Sequence, residues 1–143
     1  MSKQFESVTK FIPALEKDFY GDWKSLEGGN GSAERPLIMP HVSFSPTVYE
    51  LFSELSRVAE NHPEYAFKDY RNYLYKRGYI STKAGTFPVD ELKAVTTERM
   101  NVEDVFVMLT AVQRADRFCE GVLLDFFRDG TIIRWLKRLE ALI

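Results

Sequence analysis

From Asn101 to Gly130 the chain carries an apolar helical pattern with charges set into it. A helix that is apolar on most of its circumference has to be buried, so the other elements must wrap around it. The central block reads Thr110-Ala-Val-Gln-Arg-Ala-Asp-Arg-Phe-Cys-Glu-Gly121. It places Arg114, Asp116, Arg117 and Glu120 within about three helical turns, and charge inside a core is costly unless it is paired.

A wheel at about 100° per residue sorts the block. Val105, Leu109, Val112, Cys119, Leu123 and Phe126 form one stripe, and Asp116 fills its missing position. Met108, Ala111, Ala115, Phe118 and Val122 form a neighbouring apolar strip. Thr110, Gln113, Arg114, Arg117 and Gly121 occupy the remaining side, with Glu120 between them and Asp116. On this reading Asp116 faces a core or its edge, where it needs a cation or carries a raised pKa. Arg134, Arg138 and a tyrosine hydroxyl are the expected partners. Two roles fit the block. Asp116 is a buried tether that fixes packing; or Arg114 and Arg117 fork a carboxylate or phosphate, with Asp116 and Glu120 orienting them. In the first role Cys119 is a small buried hydrophobe.

Other segments break the chain into helices. Phe5, Val8, Phe11, Ile12, Leu15 and Phe19 recur at helical spacing over about 4–19, and Pro13 inside them predicts a kink or a split. Between about 21 and 45 the pattern fails. Gly28-Gly29-Asn30-Gly31, Pro36 and Pro40 predict a long loop without strands, and since it contains Trp23, Leu37, Ile38, Met39 and His41, part of it is expected to pack back on the core. Ser45-Pro46 is a helix start, and Val48, Leu51, Phe52, Leu55 and Val58 make a clean stripe ending near Asn61. A third helix is expected from Pro63 to Arg77, closed by Gly78 in the left-handed conformation. A short helix over about 90–100 follows. Asn101 and Asp104 read as a capping pair for the central helix. Gly130 is its stop, Gly121 breaks it or admits another backbone, and Thr131 caps a last helix reaching Leu142.

The tyrosine-rich stretch Tyr65–Tyr79 interleaves aromatics with Lys68, Arg71, Lys76 and Arg77, and Tyr73 lies among them. Aromatics among cations can stack bases and hold phosphates. Half-buried tyrosines flanking an amphipathic helix explain the same pattern. The net charge of -2 favours the second explanation and argues against nucleic acid as partner. His41 and His62 have no ligand-spaced companions, so no metal and no cofactor is expected, and no catalytic residue is assigned. Phosphate-loop, dinucleotide and nucleophile-elbow motifs do not occur. One cysteine cannot make an internal disulfide, and no apolar run approaches the ~18 residues of a membrane span, so a cytoplasmic protein is expected.

The stretch Met108-Leu-Thr-Ala-Val-Gln-Arg-Ala-Asp-Arg-Phe-Cys-Glu-Gly121, with Asp129-Gly-Thr-Ile, Leu136-Lys-Arg-Leu139 and the early Phe11-Ile-Pro-Ala-Leu-Glu16, resembles a family of small bacterial and archaeal proteins of unknown function. The resemblance is specific over the last 40 or so residues and centres on Arg114, Asp116, Arg117, Phe118 and Gly121. It implies that the charged block belongs to the family's design, and it implies no activity.

The expectation is an all-α, compact single-domain helical bundle spanning 1–143, built around a buried 101–129 helix. Its first functional reading is an interaction or regulatory module leaning away from enzyme activity. Such a module binds a protein partner or a second copy through an aromatic surface and the 21–45 loop. The alternatives are an anionic-ligand site at Arg114, Asp116, Arg117 and Glu120, and a nucleic-acid surface at Lys68, Arg71, Tyr73, Lys76 and Arg77.

Overall fold

A computed structural model describes residues 5–24, 41–62, 69–83, 85–117 and 119–142, with backbone alone for 24 and 41. The fold is mostly helical. Two short helices, α1 (Glu6–Thr9) and α2 (Ile12–Glu16), open it, followed by strands β1 (Gly21–Lys24) and β2 (His41–Phe44). Next come α3 (Pro46–Asn61), α4 (Tyr70–Lys76), α5 (Val89–Ala94) and a 3-10 turn over Thr97–Arg99. The chain ends with α6 (Val102–Ala115), α7 (Val122–Arg128) and α8 (Thr131–Leu142).

The proline rule holds at the start: the pattern over 4–19 splits into two helices, and Pro13 sits in the first turn of α2, where its missing N–H costs nothing. Phe5, Val8, Phe11, Ile12 and Leu15 are buried as the spacing requires, whereas Phe19 lies beyond the helix and is 67% exposed. On α3 every residue of the expected stripe is buried, and Ser45 caps the helix by accepting from the Val48 amide. The part of the third helix that is described is α4. Asp69 caps it through the Asn72 amide, and Gly78 ends the segment at φ +77°. Its expected first residues, 63–68, lie outside the described residues. The helix near 90–100 resolves into α5 and the 3-10 turn.

Two larger expectations fail as well. The 21–45 segment is not strandless: β1 and β2 pair antiparallel, Gly21 with Phe44 and Trp23 with Val42. Four-residue strands leave too few alternations to register as a pattern, and tertiary contacts hold the ribbon instead. Tyr20 turns into it at φ +72°, its ring stacked 5.2 Å from Phe127. The Ser45 amide donates to the Tyr20 carbonyl, and Arg128 donates to the Gly21 carbonyl. Gly28-Gly29-Asn30-Gly31, Pro36, Leu37, Ile38, Met39 and Pro40 lie outside the described residues.

The second failure is the 101–129 helix. It stops at Ala115, turns through 116–121, and restarts as α7. Gly121 adopts φ +102°, a left-handed conformation that L side chains resist. A Cβ there would come within 2.5 Å of the Trp23 ring. The glycine therefore breaks the helix and admits a side chain from the ribbon, not another backbone.

α6 is the centre of the core. Val105 to Leu109, Ala111 and Val112 are all buried, and α8 packs on it with Ile132, Trp135, Leu136 and Leu139 buried. Thr131 is the first residue of α8 and does not cap it. The Asp129 carboxylate takes that place, accepting from the Thr131 amide and hydroxyl at 3.0 and 2.6 Å. Gly130, at φ +85°, provides the stop expected of it.

Candidate functional site

The two ends of α6 each carry an aspartate, and the structure gives them opposite surroundings. At the N-terminus, Asn101 and Asp104 form the expected capping box, each side chain accepting from the other's amide. Asp104 is also 0% exposed. Its Oδ1 accepts from the Tyr73 hydroxyl at 2.7 Å and from Arg77 Nε at 3.0 Å. Its Oδ2 accepts from Arg77 and from the Tyr79 hydroxyl, both at 2.7 Å. Burial alone would raise the Asp104 carboxyl; the Arg77 fork, then Tyr73, Tyr79 and the Asn101 amide, hold it below the ordinary carboxylate range. Burial and the Asp104 bond raise Tyr73 and Tyr79. Arg77 rises too, through its bond to Asp104.

Among the described residues the buried carboxylate is thus Asp104, which sequence alone marks only as a cap. A signal was present. The apolar strip of Met108, Ala111 and Ala115, continued one turn back, reaches position 104. Spacing of four also puts Tyr73 and Arg77 on one face of α4. Of the residues considered for nucleic acid, Tyr73 and Arg77 turn inward to Asp104. Arg71 donates to the Lys83 carbonyl, Lys76 is exposed, and Lys68 lies outside the described residues.

At the other end, Asp116 is only partly buried and serves the helix break. Its Oδ1 accepts from the amides of Gly121 and Leu123 at 3.0 and 3.2 Å. Expected partners are engaged elsewhere: Arg134 donates to the Lys93 carbonyl, Arg138 to the carbonyls of Met100 and Glu98, and the Tyr73 and Tyr79 hydroxyls bond Asp104. Asp116 thus lies at the core edge as the wheel expects, held by amides and not by a cation. Assuming continuous helix past Ala115 buries Cys119, which is exposed. Burial raises the Asp116 carboxyl, the two amides partly offset this, and Glu120 adds to the rise.

The four-residue cluster is not brought together as one site. Glu120 accepts from the Val42 amide at 2.7 Å and fastens the free edge of β2 to the 116–121 turn. Arg114 has its guanidinium 6.0 Å from the Tyr70 ring centre, and Arg117 is exposed. Both arginines border a cleft of about 210 Å3 between α3 and α6. Among the described residues no group of three or more His, Cys, Asp or Glu could hold a metal ion. None of the described helices is long and apolar enough to cross a membrane.

These features define a class: a mostly helical fold with a small antiparallel ribbon, in which a fully buried carboxylate fastens α4 to α6. A family model described as a family of unknown function (DUF6508) matches residues 1–143, so the chain belongs to that family. No curated protein and no solved structure matches it.

Proposed function

We propose that the protein is an interaction module that binds another protein through the aromatic end formed by the ribbon and the start of α3. The observation that carries this reading is the exposure there of Phe19 at 67%, Tyr49 at 57% and Trp23 at 44%. Large aromatics left in water forgo burial energy, and Trp and Tyr are the side chains that most often anchor interfaces. The three lie close along the fold. Phe19 follows Asp18, whose carboxylate takes the Ser45 hydroxyl, and Tyr49 lies one turn beyond Ser45. The Tyr49 ring meets Phe44 edge-on at 6.1 Å, and Trp23 shares a ribbon face with Phe44 by register. A cleft of about 170 Å3 beside Phe44 and Tyr49, with Asp116 at its edge, can receive a partner side chain.

The platform is fastened in advance by Glu120, Arg128 and the packing of Trp23 over Gly121. Little loop ordering is then charged against binding. On this reading the chain works as one domain in the cytoplasm, where the exposed Cys119 stays reduced. The test is a cross-linking pulldown from the native cell with the wild type and with Phe19→Ser and Tyr49→Ser. A specific partner captured by the wild type and lost from both variants supports the reading; equal recovery by all three overturns it. A concentration-dependent dimer abolished by the same variants would make the partner a second copy.

A further inference from the structure

The recess at the aromatic end combines rings with a carboxylate. Phe44 from β2 and Tyr49 and Phe52 from α3 line it, with Val48 and Leu123 filling the apolar wall. Val48 and Phe52 are four apart on α3, and Tyr49 and Phe52 three apart, so they share one side of that helix. The Phe44 and Tyr49 rings stand at 87° to each other, which makes a corner of the recess aromatic on two sides. The face of such a ring is electron-rich and attracts a cation. The polar side comes from the end of α6, where Gln113 and Asp116 line the same space. Asp116 Oδ1 is taken by the Gly121 and Leu123 amides, and its Oδ2 has no bond among the described residues. Asp116 also caps the C-terminal end of α6, where the helix dipole is negative. Burial raises its carboxyl and Glu120 adds to the rise; the two amides oppose this, and no described cation does. No Lys, Arg or His is among the described residues that line the recess. Rings, carboxylate and helix end thus favour positive charge at one place.

We propose that this recess receives a lysine side chain of the partner, its ammonium donating to Asp116 Oδ2 beside the rings and its stem lying on Val48, Phe52 and Leu123. This inference rests on the protein-binding reading and names what the partner inserts. A volume of about 170 Å3 is below the roughly 300–1,000 Å3 of ligand pockets, so it suits one inserted side chain. Arginine fits less well. Its planar fork gains most from two free carboxylate oxygens, and Oδ1 is already held by two amides. A compact ammonium needs only one oxygen, and its long apolar stem covers the wall.

The test is a two-dimensional amide NMR titration of the full chain at constant ionic strength. The probe is N-acetyl-lysine amide, with N-acetyl-norleucine amide as the neutral counterpart and N-acetyl-arginine amide as the competing cation. Saturable shifts are expected around residues 44–52, 113–116 and 123 with the lysine probe, and none with norleucine. Asp116→Asn keeps the oxygen that accepts from the amides and removes the charge, and should weaken binding about tenfold. Tyr49→Leu, an exposed change that leaves the Asp116 corner intact, should weaken it about threefold. Absence of saturable shifts, shifts that map elsewhere, equal binding of norleucine, tighter binding of arginine, or full affinity in both variants each overturns the proposal. The two readings fail separately. If a partner is lost from Phe19→Ser and Tyr49→Ser while the lysine probe leaves the recess unshifted, this inference alone falls. If the lysine probe seats as expected and no partner is captured, the recess chemistry is supported and the protein-binding reading alone falls.

Discussion

Asp104 and Asp116 sit at opposite ends of one helix, and the fold uses them in different ways. Asp104 lies at the third position of α6 with α4 packed over it, so no water reaches it and five protein donors take the place of water. Asp116 lies where α6 ends. It keeps partial contact with solvent and receives two backbone amides that the turn would otherwise leave unbonded. The difference teaches that a carboxylate's role follows from what packs over it and not from its position in an apolar pattern. One aspartate joins two helices across the core; the other shapes a corner of the chain.

The comparison can be broken by deleting each aspartate in turn. Asp104→Ala leaves two tyrosine hydroxyls and the Arg77 fork without their acceptor, and should cost about 3 kcal/mol in urea denaturation. The Arg77 side chain is 41% exposed, so water recovers part of its loss, and Arg77→Met should cost less, roughly 2 kcal/mol. If Asp104→Ala proved milder than Asp116→Ala, the ranking of the two ends would be reversed.

Gly121 tests the corner that Asp116 holds. Gly121→Ala forces a side chain into a left-handed conformation and against Trp23, and should destabilise by roughly 1–2 kcal/mol. Adding Trp23→Ala should restore only the steric part, and full restoration would show that φ carries no strain there. Asp116→Ala should cost about 1 kcal/mol, the scale of a lost cap, whereas Asp116→Asn keeps the accepting oxygen and should cost less.

The smallest effects are in pH dependence, where the two aspartates have opposite signs. Asp104 titrates lower in the fold than unfolded. Its contribution is present above the unfolded value near 4 and disappears as pH falls through the lower folded value. Asp116 titrates higher in the fold, so its contribution is present below the unfolded value and is lost as pH rises through the folded one. Denaturation midpoints between about pH 2 and 6 should therefore rise less steeply with pH in Asp104→Asn and more steeply in Asp116→Asn than in the wild type. Parallel profiles in all three proteins would contradict this assignment.

Local chemistry was legible wherever one residue type answers one local need. Ser45 and Asn101 as caps, Gly78 and Gly130 as stops, Pro13 as a splitter and the α3 stripe all follow from propensity and spacing, and all appear as read. The ribbon was not legible, because its four-residue strands are held by Glu120, Arg128 and the Ser45 amide, partners distant in sequence. The candidate site was legible in part. Arg114 and Arg117 do share a cleft with Thr110 and Gln113, the side on which the wheel grouped them. Asp116 stays at the core edge, and Glu120 reaches across to β2 because the helix that would have aligned it ends at Ala115.

The sequence by itself determined that α6 must be buried, where most helices start and stop, and that charge had to be reconciled with an apolar core. Tertiary structure alone decided which carboxylate bears that charge. Position 104 becomes dry only when Tyr73, Arg77 and Tyr79 close over it, and a contact spanning 25 to 31 residues leaves no trace in local periodicity. It also decided that the helix ends at Asp116 instead of running on to 129. A left-handed glycine five residues on allows that corner and leaves room for the Trp23 ring against it.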